Sequence, residues 1–268
     1  MWRPEGWMTM FVEEDHHLVP AVARAAAILD LVGQSHRAIA SNEIARQLSL
    51  PKSSTANICI ELELAGMLVR RDQGYALGRK LVELGGLYLS SVDAIRDYYD
   101  LCSSLPILSR ESSRIAILDG TDVLYLGKYE GRQQIRLTAN IGDRFPASCT
   151  ATGKVLMAQL PPGEAEERFL EKPEAFVQLT NKSIASVKQL AKELDETRER
   201  GYAIDDEEAT PGVICYAMAV SKFRGETSSV AVSVTFLKQR LVPGFKQAVL
   251  NDLIALAKGL SNPLAGRS

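Results

Sequence analysis

Histidine is scarce in this chain: His16, His17 and His36 all fall within the first 36 of 268 positions. A catalytic centre confined to the C-terminal half would have no imidazole, which excludes Ser-His-Asp and Cys-His chemistry there. Cysteine is equally sparse. Cys59, Cys102, Cys149 and Cys215 lie far apart and form no C-x-x-C pair, so neither a disulfide framework nor a zinc knuckle is written here and reduced thiols are expected. No apolar run approaches the roughly 18–20 residues needed to span a bilayer. The opening segment carries Glu5, Glu13, Glu14 and Asp15 without the basic-then-apolar order of a secretory signal, so a cytoplasmic protein is expected. Metal-ligand spacings, phosphate loops, internal repeats and low-complexity stretches are all missing, so no cofactor and no enzymatic activity are expected.

What is present reads as an ordinary globular protein. Hydrophobic residues make up 46% and charged residues 24%, and the length suits two domains of on the order of 100–200 residues each. The net charge of −2 hides an asymmetry. Between Gln34 and Lys80 the basic residues Arg37, Arg46, Lys52, Arg70, Arg71, Arg79 and Lys80 outnumber Glu43, Glu61, Glu63 and Asp72. A mildly basic first module joined to an acidic remainder fits phosphate contacts by the first half only.

Along the first module, Val22, Ala26, Leu29 and Val32 fall at helical spacing before Gly33, which predicts a helix over Val19 to Val32. Ser41 stands at an N-cap position before a short helix, Asn42 to Leu48, with Ile44 and Leu48 on one face. Pro51 suits the first position of the next helix, whose buried stripe is expected at Ile58, Leu62 and Ala65. Met67-Leu68-Val69 and Tyr75-Ala76-Leu77 flank Arg70-Arg71-Asp72-Gln73-Gly74 as a hairpin. Helix, helix-turn-helix, then hairpin is the order of a winged helix-turn-helix.

Helical spacing returns over Arg79 to Ser90 and again from Ala94 to Glu111, giving a linker and the entry to a second domain. Beyond it, Ile115 to Leu118 and Val123 to Leu126 predict a hairpin turning at Asp119-Gly120. Further strands are expected at Gln134 to Ala139, Val213 to Val220 and Ser229 to Phe236. Ile184, Val187, Leu190 and Leu194 mark an amphipathic helix ending near Gly201, and a last helix covers Phe245 to Leu260. The fold class is therefore α+β.

Three motifs carry a family resemblance: Leu50-Pro51-Lys52-Ser53-Ser54 with Leu62-Glu63-Leu64-Ala65-Gly66 and Gly74-Tyr75-Ala76-Leu77-Gly78; Thr150-Ala151-Thr152-Gly153-Lys154; and Gly201-Tyr202-Ala203 with Asp205-Asp206-Glu207-Glu208 and Gly212-Val213-Ile214-Cys215. In this order they resemble the IclR-type bacterial transcriptional regulators over nearly the whole chain. The resemblance implies a winged helix-turn-helix over residues 18–78, a linker helix over 79–98 and a GAF-like α/β effector-binding domain over 99–262. It also implies a homodimer or dimer of dimers on a palindromic double-stranded operator. One departure is Ala56-Asn57, where relatives often carry a His-Arg pair in the recognition helix, so the operator sequence does not carry over.

On the recognition helix, Lys52, Ser53, Ser54 and Asn57 are the polar side chains available to DNA. Asn57 can pair bidentately with adenine, while the serines suit phosphate contacts or helix capping. Arg70 and Arg71 on the hairpin could meet phosphates or the minor groove, or remain solvated charges. In the second domain, Ala151 and Thr152 stand before Gly153, which serves either a ligand-binding turn or close packing. By resemblance, Asp205, Cys215, Ser233 and Thr235 occupy pocket positions and Leu137 an apolar wall. Asp205 disfavours a carboxylate ligand unless a proton is shared or the backbone compensates, which leaves both organic or aromatic acids and neutral aromatics open. The function expected is a ligand-responsive DNA-binding regulator. Two alternatives are a DNA-binding scaffold whose pocket is filled by its own side chains, and an enzyme in the C-terminal half using Cys215.

Overall fold

A computed structural model describes residues 18–35, 37–132, 139–220 and 230–261. The chain divides into two compact units between Ser91 and Val92.

The first unit opens with α1 (Pro20–Gln34), α2 (Ser41–Gln47) and α3 (Lys52–Leu64), followed by the antiparallel pair β1 (Leu68–Arg71) and β2 (Gly74–Leu77) and then α4 (Lys80–Ser91). Ile28, Leu31 and Val32 of α1 join Ile44, Leu48, Cys59, Leu62, Leu68 and Tyr75 in its core. The inward stripe of α1 is thus rotated from the expected one. Val22 is exposed, as is Ala26, because the face that meets α3 and β2 is chosen by packing and not by the apolar repeat alone. On α3 the buried residues are Thr55, Cys59 and Leu62, with Ile58 half-buried and Ala65 exposed.

Two helix starts also differ from expectation. Ser41 is the first residue of α2 with Ala40 as its N-cap, and Pro51 is the N-cap of α3 at φ −60° and ψ 130°; neither helix has a side-chain cap. Gly74 is required for a reason beyond the turn. Its φ is +141°, and a Cβ there would lie 2.2 Å from the Ile39 carbonyl oxygen, because Tyr75 and Ile39 exchange backbone hydrogen bonds of 2.8 and 3.0 Å.

The second unit begins with α5 (Asp93–Ser104), not a helix reaching Glu111. Pro106 disfavours helical backbone at Leu105, which is extended at ψ 135°. Next come β3 (Ser112–Asp119), β4 (Asp122–Glu130) and β5 (Arg144–Pro146), a short 3-10 turn (Ala147–Cys149), α6 (Ala151–Met157), α7 (Glu164–Glu171) and α8 (Val187–Arg200). Gly201, left-handed at φ 77°, ends α8. The strands β6 (Ala203–Asp206), β7 (Val213–Val220) and β8 (Val230–Leu237) precede the closing α9 (Phe245–Ser261). Six strands form one antiparallel sheet in the order β5-β4-β3-β8-β7-β6. α6 packs on β3, β7, β8 and α8, while α9 packs on β7, β8 and α5. The expected strand Gln134 to Ala139 lies outside the described residues except for its last position.

Candidate functional site

Register brings the site together. Side chains directly opposite across antiparallel strands share a face. One row of partners is Arg114, Ser233, Ala217 and Ala203. The next row is Ser112, Thr235, Cys215 and Asp205, two positions along each strand and so on the same face. Four residues singled out in the sequence, Asp205, Cys215, Ser233 and Thr235, thereby meet on one surface. Thr150 accepts a 3.2 Å hydrogen bond from Gly153 N and caps α6, whose first residues Ala151 and Thr152 bring the opposite wall. The result is a cavity of about 60 Å³, also walled by Tyr125, Phe145 and Val213. Leu137 lies outside the described residues.

Arg114 is the residue that sequence reading missed. It also lines the cavity and is 2% exposed. Its Nη2 donates to the Ala139 carbonyl at 3.2 Å, while Nε and Nη1 have no hydrogen-bond partner among the described residues. The guanidinium lies 5.9 Å from the Tyr125 ring centroid. A signal existed in the sequence: a lone cation at an inward position of the run Arg114-Ile115-Ala116-Ile117-Leu118 is costly unless it has a task.

At the other side of the cavity, Asp205 is 3% exposed and accepts from Glu208 N at 2.8 Å and Ala209 N at 3.2 Å. Burial lifts its carboxyl to about 6 against the opposing pull of Lys154 and these two N–H groups. Glu208, likewise lifted by burial to about 7, pairs with Lys154 at 2.6 Å. Both carboxyls bind a proton more tightly folded than unfolded. Stability should therefore fall as pH rises from about 4 to about 7 and level off above. Asp205→Asn should flatten part of that decline, worth on the order of 1–3 kcal/mol, in urea unfolding between pH 4.5 and 8. An unchanged slope would count against a strained Asp205 carboxylate.

Cys215 Sγ lies 3.1 Å from Thr235 Oγ1, and burial together with Asp205 raises its pKa, so the thiol stays protonated and is a weak nucleophile. Gly153 serves packing. A Cβ would fall 2.3 Å from Ala147 Cα and its carbonyl oxygen, and the Gly153 N–H is already given to Thr150.

In the first unit, Lys52, Ser53 and Asn57 are exposed on α3, with Ser54 half-buried, around the helix from the buried Thr55, Cys59 and Leu62. Arg70 and Arg71 belong to β1, and the hairpin tip is Asp72-Gln73. Successive strand residues point to opposite faces, and Arg70 lies over the Tyr75 ring at 5.7 Å.

Residues 21–72 match the IclR helix-turn-helix domain and residues 86–262 match the family described as bacterial transcriptional regulator IclR C-terminal. The chain belongs to the IclR family. It is 31% identical over 252 residues to the HTH-type transcriptional regulator XynR of Escherichia coli K12, covering 92% of this chain and 99% of that one. Among solved structures it is similar to the Agobacterium tumefaciens repressor BlcR, with 33% identity, 94% and 99% coverage and a TM-score of 0.57. An IclR homolog from Microbacterium hydrocarbonoxydans, solved with 4-hydroxybenzoate, shares the fold at a TM-score of 0.73 and 22% identity, covering 90% of this chain and 98% of that one. This IclR-family protein is a DNA-binding transcriptional regulator with a C-terminal effector-binding domain, and no helix among its described residues is long and apolar enough to cross a membrane.

Proposed function

We propose that this regulator binds a palindromic operator through α3 and that a small organic acid in the cavity between α6 and the sheet alters its affinity for DNA. The observation that carries the reading is the cavity itself, lined by a buried Arg114, incompletely paired among the described residues, and by Asp205, Cys215, Ser233 and Thr235. The acid bound by the Microbacterium homolog supports that ligand class. A cavity whose guanidinium donors lack partners among the described residues favours a sensor over a scaffold whose pocket is filled by its own side chains.

Asn57 is the proposed base-reading residue, with Lys52, Ser53 and Ser54 on phosphates and Arg71 on the backbone beside the hairpin. Two copies of the chain would place two such helices on the two half-sites. Self-association is supported by α4, which buries none of its residues and exposes Val82, Leu84, Leu87 and Tyr88. The effector would then act by changing how the two copies present their recognition helices.

The test uses an operator selected from a random-sequence DNA pool and fluorescence anisotropy across a salt series. Asn57→Ala should weaken operator binding by about 10- to 100-fold and relax sequence preference at one position. Lys52→Ala should weaken all sequences alike and lower the salt slope by about one. Unchanged affinity in both variants would remove α3 as the reading helix.

A further inference from the structure

The effector reading above leaves the chemistry of the ligand open, and the two sides of the cavity narrow it; the inference that follows rests on that reading. We propose that the cavity takes a short hydroxycarboxylate, with its carboxylate on Arg114 and its hydroxyl donating toward Asp205.

The first ground is the unpaired cation. A guanidinium carries five N–H donors, and that of Arg114 makes one hydrogen bond among the described residues, to the Ala139 carbonyl. Burying a charge without a partner is among the most expensive arrangements a fold can keep, and both Nε and Nη1 are in that condition among the described residues. A ligand carboxylate is the group that relieves it, since guanidinium and carboxylate match through two parallel N–H bonds.

The second ground is polarity across the sheet. Arg114 sits on β3 and Asp205 on β6, with β8 and β7 between them, so the two backbones are about 14 Å apart at the usual strand spacing. The long arginine side chain spans part of that distance, and the cavity lies between a cationic end and an acceptor end. Ser233, Thr235 and the Thr152 hydroxyl, buried and without a partner among the described residues, line the same space. Neutral hydroxyls with a carboxylate already holding two N–H groups suit a ligand hydroxyl better than a full ammonium, whose charge would need freer anionic acceptors.

The third ground is size: a cavity of about 150 Å³ holds benzene, so one of about 60 Å³ suits a ligand of only a few non-hydrogen atoms, such as glycolate or lactate.

The experiment is calorimetric titration and thermal shift of the full chain with glycolate, L-lactate, acetate, glycolamide, glycine and 4-hydroxybenzoate. Glycolate or lactate should bind at least about tenfold more tightly than glycolamide, and also more tightly than acetate. Arg114→Met should abolish the preference for acid over amide. It should also raise the Tm of the unliganded protein by roughly 4 °C, because an unpaired buried charge is replaced by an apolar chain of similar length. Arg114→Lys, which keeps charge without the fork, should retain a reduced preference. Equal binding of glycolamide, or an acid preference that survives Arg114→Met, overturns the arginine assignment while leaving the sensor reading intact. Tighter binding of glycine overturns the hydroxyl assignment, and tighter binding of 4-hydroxybenzoate the size assignment. No binding of any of these or of a wider metabolite panel would overturn the sensor reading and this inference together.

Discussion

Lys154→Met should lower the stability of the effector-binding unit by about 3–5 kcal/mol at pH 8 and by clearly less at pH 5. The Lys154 side chain is fully buried, with Nζ 2.6 Å from Glu208 and 3.4 Å from Glu193. Removing it strands the Glu208 carboxylate, whose Oε2 already has no partner among the described residues. Glu193 suffers less, because Arg200 still holds it at 2.6 Å. With Lys154 present, burial keeps Glu208 at about 7; without the ammonium it rises further, so a proton neutralises the stranded group as pH falls. Thermal unfolding of the full chain at both pH values checks this, with a Tm loss of about 10 °C expected at pH 8. An equal loss at pH 5 would mean that the aliphatic stem, and not the charge, supplies the stability. Adding Glu208→Gln should restore part of the loss at pH 8.

Gly153→Ala should destabilise the same unit by at least about 3 kcal/mol, although glycine to alanine within a helix ordinarily gains about 1 kcal/mol. The new Cβ would stand 2.3 Å from backbone atoms of Ala147, which cannot swing aside as a side-chain end can. Gly86→Ala on α4 is the control, since nothing lies within 4 Å of a Cβ there, and a gain of up to about 1 kcal/mol is expected. Urea unfolding of the two variants should therefore give shifts of opposite sign. A gain in both would mean that α6 can move off the Ala147 turn.

These results would separate two roles within the Thr150-Ala151-Thr152-Gly153-Lys154 segment. Thr150, Ala151 and Thr152 line the cavity, with Thr150 also capping α6, whereas Gly153 and Lys154 hold α6 in place through a close approach and a buried ion pair. Sequence alone left a ligand turn and a packing turn open for Gly153, because the two readings differ only in what stands opposite the missing Cβ.

Most of the elements were legible because their signals are local. Glycine after α8, the apolar run of β7 and the tight order of α2 and α3 each depend on residues within a turn or two of one another, and the helix-turn-helix and sheet domain follow from them. The inward face of α1 was not legible, since Val22 and Ile28 are equally apolar and only contact with α3 and β2 decides between them. Arg114 escaped for the same reason at longer range. Its meaning depends on β8 and β7 lying between it and Asp205, a register fixed by backbone pairing among segments far apart in the chain. Local periodicity and turn chemistry thus determined most of the elements and three motifs carried the family resemblance, while the partners of the buried charges were decided by tertiary packing, because the energy of a buried charge depends on what surrounds it and not on its sequence neighbours.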